Sequence, residues 1–357
     1  MVRSRRNSKI RFRRLSLRRN WEKMEFMITV KSSPECHDLI TSAINLEMMT
    51  FRVNFGRRTI QENLRLISQI NEISNGKAKI FVDLPGNKAR TGNIPGAELY
   101  LKKGERLTLS LTEPSAEIDL GTMTFGLSRP ELFGNVKTGS SVSFRDGAAI
   151  AQITEATPEK ITCVVTRPGV ICTSCGVVPV EGYVEYKTLS DIDVIILGMI
   201  PEYVFGINVS FADSAIIIRQ VKSICRFDHI NIIAKIESKI AVDNLIGINE
   251  ASDGLILARG DLGNFYDEQS VINIAHKIVE LRPFQAGPII FATNYFTEPA
   301  KGLALSTSEQ ATIQEAFKLG VNTILVNETS SSQHWRQVLI AASNFKLNSL
   351  ESSGLEC

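Results

Sequence analysis

The chain has 357 residues, 43% of them apolar, a net charge of +2 and six cysteines at irregular spacings. No apolar run approaches the roughly 20 residues of a membrane span, and the cysteines do not form a disulfide framework, which points to a reducing, cytoplasmic setting. A single small domain, a helical membrane protein and a disulfide-stapled one are therefore excluded, leaving one large α/β domain with an insertion, or two domains.

The charge is uneven. Residues 1–24 hold eight Arg and two Lys against Glu22, a charge of +9 that leaves −7 for the rest. This basic extension, residues 1–25, lacks the apolar centre of a secretory signal. Three readings stay open for it. It is a solvated tail, an Arg/Ser-rich organelle-targeting peptide, or a contact for nucleic acid or another polyanion that weakens with salt.

Strand and helix patterns then alternate. Met27 to Val30 reads as a strand, Pro34 to Ile44 as a helix and Met49 to Asn54 as a second strand. Thr59 to Ile73 carries Ile60, Leu64, Ile67 and Ile70 at helical spacing, and Ile80 to Asp83 is a third strand. From about residue 93 to 185 the rhythm changes to short Thr- and Val-rich runs: Leu107 to Leu111, Ser141 to Phe144, Ile150 to Thr154 and Ile161 to Val165. These predict a small all-β insertion. Alternation then resumes. The predicted helices are Leu189 to Leu197, Ala212 to Ile224, Ala241 to Ile248, Gln269 to Leu281, Thr307 to Leu319 and Trp335 to Ala342. The predicted strands are Tyr203 to Val209, two runs ending at Glu237 and Arg259, Pro288 to Thr293 and Thr323 to Asn327.

Eight strands with intervening helices are the parts of a (β/α)8 barrel, here residues 26–92 and 186–350, interrupted by the insertion at 93–185. An open doubly wound sheet is the alternative, but no Gly-rich G-x-G-x-x-G follows the first strand. In a barrel the chemistry sits at the C-terminal strand ends. Arg52, Asn54, Asp83, Lys235, Glu237, Asp261, Thr293 and Glu328 all fall there. Two segments stand out. Ile230-Asn231-Ile232-Ile233 leads into Ala234-Lys235-Ile236-Glu237-Ser238. Gly254-Leu255-Ile256-Leu257 leads into Ala258-Arg259-Gly260-Asp261-Leu262-Gly263. Two carboxylates on neighbouring strand ends suit a hard divalent cation, and a lysine beside them suits an oxyanion.

At these residues the sequence resembles pyruvate kinase. The family's K-I-E-N and S-D-G-I-M-V-A-R-G-D-L-G are matched by Lys235 to Ser238 and Ser252 to Gly263. Its A-R-L-N-F-S-H-G is matched by Phe51-Arg52-Val53-Asn54-Phe55-Gly56-Arg57-Arg58. Its L-D-x-x-G-P-x-I-R-T-G is matched by Val82 to Gly92, its V-I-x-A-T-Q by Ile289 to Asn294, and its S-G-E-T by Val326 to Thr329. The β insertion stands where the family's lid stands. The resemblance implies a phosphoenolpyruvate/pyruvate-type TIM barrel with an all-β lid, acting as an Mg²⁺- or Mn²⁺-dependent phosphotransferase between phosphoenolpyruvate and ADP or another nucleoside diphosphate.

It also implies roles. Lys235 would stabilise the pyruvate enolate, and Glu237 and Asp261 would ligate the divalent cation. The backbone N–H groups of Gly260 and Asp261, with the Thr293 hydroxyl, would hold the substrate carboxylate. Arg52 would meet the transferring phosphoryl group, with Asn54 and Arg90 on the nucleotide-phosphate side. The family's K⁺ site reads Asn54, Gly56, Asp83 and Leu84, with Lys88 where a Glu usually stands. Lys88 would substitute for the monovalent cation, so K⁺ is not expected to be required. The lid and nucleotide positions depart from the family at Arg57-Arg58, Arg145-Asp146-Gly147 and Cys175-Gly176. Those departures keep open an enolate-chemistry lyase or aldolase of the same barrel class, and a catalytically degraded binding protein. The chain stops near residue 350, so the family's C-terminal regulatory domain is expected to be missing and a homodimer is one option for assembly. Cys172 and Cys175 form a lone C-x-x-C, read as ordinary small side chains. The four histidines lack metal spacing.

Overall fold

The structure, a computed structural model, describes residues 24–94, 96–112, 123–145, 147–181, 187–282, 287–292, 295–330 and 332–352. The basic extension up to residue 23 lies outside them. Three strands open the fold: β1 (Glu25–Val30), β2 (Thr50–Asn54) and β3 (Lys79–Asp83). Nine short strands follow: β4 (Ala89–Arg90), β5 (Glu98–Leu101), β6 (Arg106–Ser110), β7 (Thr124–Gly126), β8 (Ser141–Phe144), β9 (Ala149–Ala156), β10 (Lys160–Arg167), β11 (Gly169–Cys172) and β12 (Gly176–Pro179). Five more complete the set: β13 (Gly206–Val209), β14 (Asn231–Ile236), β15 (Gly254–Ala258), β16 (Ile289–Ala292) and β17 (Thr323–Val326). The first three and the last five close into a parallel barrel, running around the ring in chain order. It is the α/β (β/α)8 barrel that the strand count predicts.

Helices α1 (Cys36–Asn45), α2 (Ile60–Ile73), α3 (Asp191–Met199) and α4 (Ala215–Ile224) cover the outside of its first half. Helix α2 starts where the sequence says it should. The Thr59 hydroxyl accepts from the Glu62 N–H and the Glu62 carboxylate accepts from the Thr59 N–H, a reciprocal cap. The predicted helix from Ala241 to Ile248 is instead two, α5 (Lys239–Asp243) and α6 (Leu245–Ala251), broken at Asn244. Asn244 Nδ2 donates to the Asp213 carbonyl at 2.8 Å, which draws it out of helical geometry. The run expected to extend as strand through Arg259 ends at Ala258, and Arg259 opens a single turn, α7 (Arg259–Leu262). The Arg259 guanidinium stacks 4.3 Å over the Tyr295 ring. Helices α8 (Glu268–Leu281), α9 (Thr307–Leu319) and α10 (Trp335–Ser352) follow. The last runs past the predicted Ala342, carrying Phe345 to an edge contact with Phe26 at 6.4 Å.

Alternate residues of a strand face opposite sides. Met27, Phe81, Ile233, Ile256, Ile290, Ala292 and Leu325 fill the barrel interior as one apolar cluster. One inward step further toward the C-terminal ends, the side chains become polar: Thr29, Asp83 and Lys235 take the positions above Met27, Phe81 and Ile233. Above Ile256 the chain places only Ala258. The polar layer is therefore crowded on one side of the mouth and open beside β15 and β16.

The insertion forms a seven-stranded sheet in the order β4-β12-β8-β9-β10-β6-β7, with a separate β5–β11 pair. It has its own core, including Leu107, Phe125, Phe133, Phe144 and Ile161. Strand β4 belongs to this sheet through Gly176 and Val177, so Ala89 and Arg90 already lie on the insertion. Among the described residues no helix is long and apolar enough to cross a membrane.

Candidate active site

Charged side chains converge where β2, β3 and β14 leave the sheet. Arg52 Nη2 lies 2.6 Å from Asp83 Oδ2, and Lys235 Nζ lies 3.3 Å from the same oxygen. Lys235 Nζ also pairs with Glu237 Oε1 at 2.8 Å and donates to Ser210 Oγ at 3.0 Å. Glu237 Oε2 accepts from the Phe211 N–H at 2.8 Å. Asn208 Nδ2 donates to Asp83 Oδ1 at 2.7 Å. Arg52 Nη1 reaches Asn327 Oδ1 at 2.9 Å and Thr29 Oγ1 at 3.3 Å. None of the four charged residues is more than 8% exposed.

Burial opposes the charges of Arg52, Asp83 and Lys235, and their partners outweigh it. Desolvation favours the neutral form of Asp83, but Arg52 and Lys235 hold it well below the usual carboxylate range. Desolvation works against the Lys235 ammonium, but Glu237 and Asp83 raise it above its ordinary value. Lys235 is therefore a fixed cation, suited to stabilising negative charge rather than to acting as a base.

Asp261, on the one-turn helix α7, approaches from the next strand. Its Oδ1 lies 2.6 Å from Lys88 Nζ. Lys88 runs across Gly176 of the insertion so closely that a Cβ there would sit 2.3 Å from its Cε. The Arg90 guanidinium crosses Gly56 in the same way, 2.7 Å from where a Cβ would stand. Both glycines make room for a basic side chain. Ser143 Oγ donates to Asn264 Oδ1 at 2.5 Å and Asn264 Nδ2 donates to the Asp261 carbonyl at 2.8 Å, which ties the insertion to the Asp261 turn. Between barrel and insertion lies a cavity of about 390 Å³. Arg52, Asn54, Lys88, Arg90, Lys235, Glu237 and Asp261 all line it.

Gly260 lies in α7 beside Asp261. Thr293 lies outside the described residues. Sequence reasoning missed Asn208, Ser210 and Asn327. The signal was present in Gly206-Ile207-Asn208-Val209-Ser210, where polar residues interrupt a buried strand with a period of two. It also read Gly56 only as a position of the family's K⁺ site, whereas its bare backbone admits Arg90. Cys172 and Cys175 are free thiols on a tight turn, with the Cys175 N–H on the Cys172 carbonyl at 3.0 Å. Burial raises the Cys175 thiol, which argues against a reactive pair.

Glu328 follows Asn327, the partner of Arg52. Burial pushes its carboxyl up to about 7 from the ordinary 4.5, with Glu309 nearby adding to the effect. The unfolded chain therefore ionises first, and the folded state loses stability as pH rises from 4.5 to about 7. The loss is about 3 kcal/mol. Glu328→Gln is expected to raise the melting temperature at pH above 7 and to change it little near pH 4.5, checked by thermal unfolding across that range.

The sequence matches the family described as "Pyruvate kinase, barrel domain" over residues 22–337. The chain belongs to the pyruvate kinase family. Among curated relatives, the pyruvate kinase of Thermococcus litoralis is 24% identical over 315 residues, covering 87% of this chain and 66% of that protein. That of Thermotoga maritima is 28% identical over 318 residues, covering 87% and 67%. That of Geobacillus stearothermophilus is 26% identical over 327 residues, covering 87% and 54%. The chain thus spans about two thirds of the shorter pyruvate kinases that it matches and about half of the longer one.

Proposed function

We propose that the chain is a pyruvate kinase-like phosphotransferase, moving a phosphoryl group between phosphoenolpyruvate and a nucleoside diphosphate. The observation that carries this reading is Lys235, a buried ammonium held by Glu237 and Asp83 at the floor of a strongly basic pocket. In the forward direction the phosphoryl group leaves the enol oxygen for a terminal phosphate oxygen of the acceptor. The enol oxygen keeps the electron pair, and a proton added at the methylene carbon gives pyruvate. Lys235 stabilises the enolate oxygen as its charge develops. Arg52 presents a fork-shaped donor to the phosphoryl oxygens. The N–H groups of Gly260 and Asp261, with the Thr293 hydroxyl, orient the carboxylate. Asn54 and Arg90 orient the acceptor phosphates.

Glu237 and Asp261 offer hard oxygen donors on one cavity wall, a set that fits Mg²⁺ or Mn²⁺. Among the described residues no three His, Cys, Asp or Glu side chains converge on a metal site. Two carboxylates completed by substrate oxygens and water are the usual protein share for Mg²⁺. Bound there, the cation would supply charge neutralisation for the carboxylate and phosphoryl oxygens. The test is divalent-dependent detritiation of pyruvate together with ATP formation from phosphoenolpyruvate and ADP. Exchange without ATP formation leaves only enolate chemistry. Absence of both, with no pyruvate binding, overturns the enzyme reading.

Lys88 places a fixed positive charge beside Asp261, and Asp83 is already balanced by Arg52 and Lys235. Activity is therefore expected to be independent of K⁺. The measurement is the rate with K⁺ against a tetraalkylammonium salt at matched ionic strength, and a large K⁺ stimulation contradicts the role of Lys88.

A further inference from the structure

Eight basic side chains line the cavity, Lys31, Arg52, Arg57, Arg58, Lys88, Arg90, Arg145 and Lys235, against two carboxylates, Glu237 and Asp261. Both carboxylates already hold a lysine, and Arg52 is on Asp83. The less compensated charge therefore lies on the outer wall. There Lys31 follows β1, Arg57 and Arg58 form the turn after β2, and Arg145 follows β8 of the insertion. All four are exposed. Arg145 pairs with Glu98 at 3.5 Å and donates to the Val170 carbonyl at 3.4 Å, Arg58 lies within electrostatic reach of Glu62, and neither Arg57 nor Arg58 forms an ion pair with a carboxylate among the described residues.

The arginine turn is tied down by hydrogen bonds at both ends. The Gly56 N–H donates to Asn54 Oδ1 at 2.9 Å, and the Arg57 carbonyl accepts from buried Asn63 Nδ2 at 2.9 Å. Arg58 takes a left-handed φ of 68°, strained for a side chain of its kind. Gly56 carries the Arg90 guanidinium, so the turn continues outward from the phosphate side of the site. Among the described residues the outer wall holds no aromatic ring on which a base could stack. The aromatic lining residue is Phe211, which is buried, with the Lys88 ammonium 5.5 Å from its ring centre. Like charges gathered on one wall repel, and an anionic ligand relieves that repulsion.

We propose that Lys31, Arg57, Arg58 and Arg145 form a second anion site on the outer wall, which takes a further phosphate group of the acceptor rather than a nucleobase. This rests on the phosphotransferase reading for the inner half of the pocket. The acceptor class is accordingly a polyphosphate recognised through its charges, with the base, where there is one, left in solvent.

The experiment is calorimetric titration of the full chain with inorganic tripolyphosphate, ADP and adenosine, each with Mg²⁺ present. Tripolyphosphate is expected to bind at least as tightly as ADP, and adenosine not at all. Arg57→Ala with Arg58→Ala is expected to weaken tripolyphosphate by about tenfold per arginine, and Arg145→Glu to weaken it independently. The melting temperature and the detritiation of pyruvate should stay unchanged in these variants. Measurable adenosine binding, ADP binding much tighter than tripolyphosphate, or tripolyphosphate affinity that survives the double substitution each overturns the proposal. The last is what binding to the +9 extension would give. Failure of detritiation with arginine-dependent tripolyphosphate binding removes the catalytic reading and leaves the anion site standing.

Discussion

Lys235→Met is expected to lower pyruvate detritiation and any phosphoryl transfer by at least 10²–10³-fold, the order of loss for a donor aimed at developing oxyanion charge. Methionine fills much the same volume and removes only the ammonium. The wild-type ammonium is held on three sides by Glu237, Asp83 and Ser210, so it does not reorganise when charge appears on the substrate. That preorganisation is why the effect should fall on kcat more than on KM. The substitution also leaves two buried carboxylates with one cation fewer. Asp83 keeps Arg52, and Glu237 keeps the Phe211 N–H, so the fold should survive with a lowered melting temperature. Lys235→Arg separates the two effects. It restores the charge and much of the stability but moves the donor, so stability should recover while detritiation does not. If Lys235→Met retains most of its exchange activity, the enolate role is wrong.

The barrel was legible because its strands are buried on both faces, and such strands read as unbroken apolar runs. Lys235, Glu237 and Asp261 were legible for the same reason, as charges that end those runs. The insertion was harder. Strands β5, β11 and β12 have only four residues, and their partners lie far away in sequence, so no local pattern announces them. Asn244 breaks a helix because of a carbonyl at Asp213, which periodicity along one segment cannot see. The importance of Gly56 and Gly176 depends on which side chain crosses each one, and sequence spacing does not specify that. In the same way, Lys88 was expected as a charge near the Asn54–Asp83 positions, and its ammonium is found on Asp261.

Asp83→Ala is expected to cost about 3–5 kcal/mol of stability, the range for removing one partner of a buried ion pair. Asp83 is 1% exposed and meets Arg52, Lys235 and Asn208 together. Without it, the Arg52 guanidinium stays buried beside two neutral acceptors, Thr29 and Asn327. The melting temperature should fall by on the order of 10 °C. The pH dependence gives an independent check. The folded-state value of Asp83 is depressed, so its stabilisation is complete above the ordinary 3.8 and is lost as pH falls below it. The gap between wild type and variant should therefore be constant near neutrality and narrow below pH 3.8. Replacing both partners, Asp83→Leu with Arg52→Leu, should recover much of the lost stability, because an apolar pair avoids desolvating two charges. Activity should not return with it, since Arg52 is the donor assigned to the phosphoryl group. A double variant that is active would show that Arg52 is not the donor to the phosphoryl group, and an Asp83→Ala protein that melts with wild type would show that the buried network carries no stability.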